Sequence, residues 1–232
     1  ALSMISDDSF YMEMKKDYAP EMVTAFIRLN GATVGCVANR SEVYTDGEKT
    51  ATYDAALTAA GCEKAAAFVN FCNAFEIPVL TLVNVDGYKN CKCNEKKIAK
   101  AAARLTYAFA NADVPKVTVV VGKANGTAGL TMNSKSIGSD IVYAWKNAKI
   151  GVMEAAPAVK IMYADEIAKA DNAAALINEK AAQYNEMQAS ALAAAKRGYV
   201  DDIIEASETR QRVAAAFEML FTKREDRPSK KH

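Results

Sequence analysis

Backbone amides, more than any reactive side chain, are the chemical resource offered by the stretch VPKVTVVVGKANGTAGLTMNSKSIGSDIVYAWKNAKIGVM, from Val114 to Met153. Val117 to Val121 form a continuous β-branched run, the pattern of a strand covered on both faces. Lys123 to Gly129 then read as a small-residue loop, and a second apolar strand follows. Gly126, Ala128 and Gly129 carry little that blocks close approach, so such a loop can hold an oxyanion on its N–H groups. The same residues also fit an ordinary strand-to-helix turn, because Gly-rich turns are common.

Other residue types that do chemistry are scattered. Asp201 and Asp202 lie side by side in RGYVDDIIEASETR, as a paired-carboxylate site for acid–base work would. Val200, Ile203 and Ile204 would dock that segment on a core, and the two acids then serve capping and solvation instead. Lys96, Lys100 and Arg104 recur every four residues, a stripe that attracts a phosphate-bearing ligand or forms a solvated basic face. Cys91 and Cys93 in YKNCKCNEKK can bind a soft metal, but no second cysteine pair or nearby histidine completes a tetrahedral set. The one histidine, His232, is terminal, so Ser-His-Asp and Cys-His nucleophilic sets are excluded.

The elements that must position these residues alternate as in an α/β protein. Val23 to Leu29 and Thr33 to Ala38 read as strands around Asn30-Gly31, a strong hairpin signal. Glu63 to Phe75 reads as an Ala-rich helix with Ala67, Phe71, Ala74 and Phe75 on its apolar face. After Pro78, Val79 to Val85 is a buried strand that ends at Asp86-Gly87. A second helix starts near Asn94 and turns Ile98, Ala102, Leu105 and Phe109 toward the core, before the strand from Lys116 to Val121. Two successive β-α-β crossovers imply parallel strands with helices packed on them. Beyond Met153 a long Ala-rich helix is expected from Asn172 to Lys196, with a stop at Gly198, and another from Glu208 to Phe221 capped by Ser207.

Composition narrows the class. A chain of 232 residues is long enough for one large α/β domain, and 51% hydrophobic with 25% charged residues excludes a disordered one. A net charge of +1 argues against general nucleic-acid binding. The C-terminal KREDRPSKKH is most simply a solvated basic tail. No run approaches the roughly 18 apolar residues of a membrane span, and ALSMISDDSF lacks the basic flank and apolar core of a signal peptide. The protein is therefore expected in the cytoplasm, with neither a membrane span nor a nucleic-acid partner. Of five cysteines, Cys36, Cys62 and Cys72 sit in apolar surroundings as reduced core thiols.

Several long segments in order carry a resemblance. DDSFYMEMKKDYAPEMVTAFIRLNGATVGCVAN, FVNFCNAFEIPVLTLVNVDGY, LTYAFANADVPKVTVVVGKANGTAG, SDIVYAWKNAKIGVM, GYVDDIIEASETR and KREDRPSKKH together resemble the carboxyltransferase subunit of biotin-dependent acyl-CoA carboxylases and decarboxylases. The likeness is to the C-terminal lobe alone and covers nearly the whole chain. It implies a crotonase-like (ClpP/crotonase) fold, a spiral of β-β-α units in two roughly perpendicular sheets with projecting C-terminal helices. Residues 1–232 are then a single C-terminal carboxyltransferase domain without its N-terminal lobe, and 222–232 its basic tail. Ala1, with no initiator Met before it, points to a trimmed or processed chain.

The resemblance also implies chemistry: a carboxyl group passes between N1 of biotin, held on a separate carrier protein, and the α-carbon of a short-chain acyl-CoA, through an enolate and the biotin ureido anion. Both are oxyanions, and each fixed N–H donor is worth on the order of 3 kcal/mol. The family's Gly-Gly-Ala turn corresponds to Gly126, Thr127 and Ala128, whose N–H groups would face the biotin carbonyl. Gly129 and Leu130 fall on the same turn, Leu130 at a position that helps to select the acyl chain, where an apolar residue suits a short alkyl or hydrogen substituent. Gly87 and Tyr88 match the Gly-Phe near the acyl-CoA pocket, and Ala158 with Val159 the Ala-Val after the third loop.

Three ligand loops depart from the pattern. The family's Gly-Phe-Leu-Pro-Gly is replaced by Gly87, Tyr88, Lys89, Asn90 and Cys91, and its Gly-Pro-Glu-Gly by Glu154, Ala155, Ala156 and Pro157. The second Gly of the oxyanion turn is Thr127, where positive φ would cost about 1–2 kcal/mol. Positive φ at Thr127 would keep the hole, whereas a β or αR peptide aimed elsewhere would undermine it. The expectation is thus an altered carboxyltransferase or decarboxylase lobe, and the alternative a structural or assembly subunit that has lost catalysis. Either needs partners: an N-terminal lobe, a biotin carboxyl carrier protein, and an apolar mating surface for a homo-oligomer, a dimer or trimer of dimers.

Overall fold

A computed structural model of the chain describes residues 2–45 and 48–225, so the segment from Asp226 to His232 lies outside the described residues. The strands are β1 (Tyr11–Met14), β2 (Met22–Leu29), β3 (Ala32–Asn39), β4 (Glu42–Thr45), β5 (Glu48–Thr52) and β6 (Ala56–Leu57). They continue as β7 (Val79–Val85), β8 (Gly87–Tyr88), β9 (Lys116–Asn125), β10 (Ile141–Trp145), β11 (Lys149–Gly151) and β12 (Asp202–Ile204). One sheet takes the order β1-β2-β3-β7-β9-β10-β12, with β11 paired to β9 beyond the end of β10. β1, β2 and β3 are antiparallel, and from β3 onward every neighbouring pair is parallel. β4–β5 and β6–β8 are separate two-stranded sheets.

The turn between β2 and β3 is the expected one, with Asn30 at φ 50° and Gly31 at φ 81°, the left-handed pair that suits the twist of a two-residue hairpin. In the parallel strands the apolar residues divide by parity. Val79, Val83 and Val120 join Phe68, Val69, Leu105 and Phe109 of helices Ala59–Ala74 and Lys92–Asn111 in one core. Leu80, Leu82, Val117 and Val119 join Val213 and Ala216 of helix Thr209–Met219 in the other. The sheet is thus covered on both faces, which is why its central strands read as unbroken apolar runs. Helix Lys92–Asn111 buries Ala101, Ala102, Leu105, Ala108 and Phe109 as its spacing predicts. Cys36, Cys62 and Cys72 are buried and free, and burial pushes the Cys62 and Cys72 thiols up to about 12.

Three helical expectations are corrected. Helix Ala59–Ala74 presents Ala67, Phe71, Ala74 and Phe75 to solvent, Phe75 being 65% exposed, and buries Cys62, Ala65, Phe68, Val69 and Cys72. Almost every residue from Ala65 to Cys72 is apolar, so periodicity does not single out a face, and the neighbouring helix chooses it. The long helix from Asn172 is broken: Ala173–Tyr184 runs into a π-helical turn, Asn185–Ala189, then Ser190 is extended and helix Ala191–Lys196 restarts. No Gly or Pro marks this break. It comes from β11, where Lys149 bridges to Ser190 and Gly151 packs on Ala189, while Ser190 Oγ caps the restarted helix at Ala193 N, 3.1 Å away. The last helix is Thr209–Met219, and its lead-in is capped by a Glu205–Glu208 capping box, not by Ser207.

Lys223, in the described start of the expected tail, is held to the body of the fold. Lys223 is 9% exposed at its side chain and its Nζ reaches Asp140 Oδ2 at 3.0 Å and the Val114 carbonyl at 3.2 Å. No helix among the described residues is long and apolar enough to cross a membrane.

Candidate functional site

The loop expected from Lys123 to Gly129 is absent as a loop. β9 continues to Asn125, and helix Gly126–Thr131 begins at the next residue. The switch from extended to helical backbone is made by Gly126, at φ +57°. A Cβ there would lie 2.9 Å from the Val152 carbonyl oxygen, because β11 runs beside the end of β9 and pairs Gly151 with Asn125. Thr127 therefore does not carry the positive φ that the resemblance demanded of it: it lies inside the helix, and the left-handed position belongs to the residue best able to hold it. The strain expected at Thr127 is not incurred, but its helical backbone is also the conformation set against the oxyanion hole, so any hole here rests on the free N–H groups of the helix start and not on a left-handed Thr127.

Gly126, Thr127 and Ala128 occupy the first turn of this helix, where backbone N–H groups have no acceptor within the helix. No side chain at the N-cap takes one up, since the Asn125 amide turns away to donate to Asp86 Oδ1 at 3.3 Å. Leftover N–H dipoles at a helix start favour negative charge nearby. The helix is fastened from behind: Gly129 packs so closely on β9 that a Cβ would come within 2.7 Å of the Ala124 carbonyl carbon. Thr131 Oγ1 donates to the Thr127 carbonyl at 2.8 Å and lies 3.1 Å from the Tyr88 hydroxyl.

Gly126, Thr127, Gly129 and Leu130 line one cavity of about 550 Å³, with Val152 and Tyr199 on its wall. Ala128 does not line it; its side chain is buried in the body of the fold. Leu130 is 47% exposed at the cavity's edge and Val152 76%. The remaining site expectations are not gathered there. Gly87 and Tyr88 form β8, and the Tyr88 hydroxyl meets the helix at Thr131. Ala158 and Val159 are buried inside helix Ala155–Met162, where they pack instead of lining the cavity.

A charged cluster that the sequence did not single out sits at the same strand ends. Lys123 Nζ reaches Asp86 at 3.0 Å and pairs with Glu154, so the ends of β7, β9 and β11 are tied together. Glu154, first, and then Asp86 hold Lys123 above the usual lysine range, and Lys123 holds Glu154 below the usual glutamate range. Lys123, Asn125 and Glu154 border another cavity, of about 210 Å³. The available signal was position alone: each charged residue stands at or just beyond the carboxyl end of a parallel strand, where ligands of open α/β sheets gather.

The altered segments have local explanations. Where a Pro-Gly turn was expected after Tyr88, Asn94 holds the chain: its Nδ2 donates to the Lys89 carbonyl and its Oδ1 accepts from Ala59 N, both at 2.7 Å. Glu154 to Pro157 start helix Ala155–Met162, with Pro157 in the first turn, where its missing N–H is harmless. Asp201 and Asp202 are not a pair. Asp201 Oδ2 accepts from Val142 N and Lys135 Nζ, whereas Asp202 faces Arg212 at 3.4 Å. Lys96, Lys100 and Arg104 lie on an exposed face, Arg104 within 3.4 Å of Glu63. Among the described residues no cluster of three or more His, Cys, Asp or Glu is placed to hold a metal ion.

The model of the carboxyl transferase domain matches residues 1–232. The chain belongs to the carboxyl transferase domain family. This carboxyl transferase domain is 40% identical over 232 residues to the methylmalonyl-CoA carboxyltransferase 12S subunit of Propionibacterium freudenreichii subsp. shermanii, covering all of this chain and 43% of that one. It is also 40% identical to the methylmalonyl-CoA decarboxylase subunit alpha of Propionigenium modestum, over 238 residues and 43% of its length. The crystal structure of the transcarboxylase 12S hexamer with hydrolysed methylmalonyl-coenzyme A bound superposes with TM-score 0.90 at 42% identity, over 100% of this chain and 43% of that chain. The fold is thus the crotonase-like one that the resemblance implied. Geranyl-CoA carboxylase β subunit of P. aeruginosa, at 24% identity and TM-score 0.78, shares the fold alone. The chain spans less than half the length of these relatives.

Proposed function

We propose that this domain is the biotin-side half of a carboxyltransferase site, moving a carboxyl group between biotin on a carrier protein and a short-chain acyl-CoA. The observation that supports it is the Asn125–Gly126 junction, where a strand turns into a helix without a loop and leaves uncapped N–H groups beside an apolar cavity. A cavity of about 550 Å³ lies within the roughly 300–1,000 Å³ of small-ligand sites, and a mostly apolar wall with a few backbone donors fits a bicyclic urea.

Biotin supplies, when bound, the ring nitrogen that bears the carboxyl group. This chain's contribution is electrostatic and steric. The N–H groups of Gly126, Thr127 and Ala128 donate to the ring carbonyl oxygen as it gains negative charge, each worth on the order of 3 kcal/mol when fixed in place beforehand. Lys123 keeps its charge because Glu154 and Asp86 face it. Leu130 and Val152 shield the cavity mouth from water, and Leu130 favours an apolar acyl substituent. Tyr88 also braces Thr131 and so the helix, and Gly87 and Tyr88 together stand on the acyl-CoA side of the site.

The other half of the site belongs to an N-terminal lobe, which the apolar rim of Leu130, Val152 and Tyr199 is suited to meet, with a homo-oligomer and a biotin carrier protein as further partners. The cytoplasm is the compartment that suits three buried free thiols. The test is carboxyl transfer from malonyl-CoA or methylmalonyl-CoA to free biotin, with and without an N-terminal lobe. Transfer that appears on adding the lobe is expected. No transfer with any acyl-CoA, together with no biotin binding, overturns the reading and leaves a structural subunit.

A further inference from the structure

Cys91 and Cys93 take no part in the proposed transfer, yet their sulfurs lie 3.0 Å apart. Cys91 is half-buried and Cys93 exposed, so both are open to a dissolved reagent. Cys91 is the N-cap of helix Lys92–Asn111, with an extended backbone (φ −154°, ψ 150°) and no side-chain cap bond of its own, and Cys93 follows in the helix's first turn. Asn94 fixes the base of this turn through the Lys89 carbonyl and Ala59 N. A disulfide needs about 2.05 Å between the sulfurs, so closure asks for an approach of about 1 Å on a segment that already aims the two side chains at each other.

We propose that Cys91 and Cys93 form a redox-active dithiol that closes to an intramolecular disulfide by exchange with a small dissolved disulfide of the glutathione class. Cys91, as thiolate, attacks one sulfur of the small disulfide; that S–S bond breaks and one small thiolate leaves. Cys93 loses its proton to solvent and attacks the Cys91 sulfur, forming the Cys91–Cys93 bond and expelling the second small thiolate. Two protein thiols are oxidised by two electrons, and one small disulfide is reduced to two thiols.

Cys91 is suited to attack first. The Cys93 thiol beside it holds its thiol below the usual range, with a further pull from the Lys89 charge. The other three cysteines are buried and do not compete. Closure would tighten the segment that carries Gly87 and Tyr88, whose hydroxyl braces Thr131. The dithiol chemistry stands whether or not the domain transfers carboxyl groups.

The full chain is equilibrated in buffers running from reduced to oxidised glutathione, trapped with iodoacetamide and mapped by mass spectrometry. The peptide containing Cys91-Lys92-Cys93 is expected to lose both labels, to become lighter by two hydrogens, and to recover on treatment with dithiothreitol. Cys91→Ser, which keeps a good N-cap and so a folded helix, is expected to hold glutathione on Cys93 without closing. Both sulfurs labelled throughout the series, or a wild-type chain that stops at the glutathione adduct, would overturn the proposal.

Discussion

Gly126→Ala is the substitution that most directly probes the strand-to-helix junction. Two separate effects act at this position. Holding an L-residue at φ +57° costs about 1–2 kcal/mol. The new Cβ would also stand 2.9 Å from the Val152 carbonyl oxygen, where ordinary contact begins at 3.4 Å, so β11 or the helix must yield by about half an ångström. Such crowding against backbone costs about 1–3 kcal/mol. Together they make about 2–5 kcal/mol, or a fall in Tm of about 4–20 °C for a domain of this size. Two comparators separate the terms. Gly31, at φ +81° with nothing within 4 Å of a new Cβ, isolates the backbone term, and Gly31→Ala should lose only about 1–2 kcal/mol. Gly87 has neither feature, and Gly87→Ala should stay within about 0.5 kcal/mol of wild type. Urea and thermal unfolding of the three variants read the series. A Gly126→Ala variant no less stable than Gly31→Ala would refute the closeness of Val152. In a transfer assay the same displacement of the donors should cost on the order of 100-fold in rate.

Phe109→Ala should lose about 3–5 kcal/mol by urea unfolding, because the ring is fully buried between helix Lys92–Asn111 and the sheet. Glu154 and Lys123 give a pH dependence. The folded-state pKa of Glu154 is depressed, so its stabilisation is present above the ordinary glutamate range near about 4.3 and is lost as pH falls through the folded value. The acid limb of stability should therefore flatten in Lys123→Met, and an unchanged limb would count against the pairing. Lys223→Ala should lower the urea midpoint by an amount worth about 1–3 kcal/mol, since it leaves Asp140 and the Val114 carbonyl without their buried donor. A truly solvated tail would show no change.

What could be read from the chain beforehand was what depends on neighbours close in sequence. The β2–β3 hairpin follows from Asn30-Gly31, and helix Lys92–Asn111 shows its core face because charged residues fill the rest of its circumference. Helix Ala59–Ala74 lacks that contrast, and its face was assigned the wrong way round. The break at Ser190 is dictated by β11, some forty positions earlier in the chain, and nothing in the local residues announces it. At the site, composition showed a turn of small residues after a strand, but it was read as a loop from Lys123 to Gly129 where the strand runs on to Asn125 and a helix starts at Gly126. Which of those residues would carry the left-handed backbone was not legible, because that depends on how β11 crowds the end of β9. The Lys123–Asp86–Glu154 cluster joins three strand ends brought together only by the parallel sheet.

The broken helix has a consequence for how the molecule opens. Helix Ala173–Tyr184 buries none of its residues, and Ile161, Met162 and Met187 nearby are each more than half exposed. Its tie to the sheet passes through the π-helical turn and the Lys149–Ser190 bridge. The projecting arm is thus a cooperative unit of its own, whose amides should exchange with deuterium well before those of β7 and β9, and whose protection should rise when another subunit covers it.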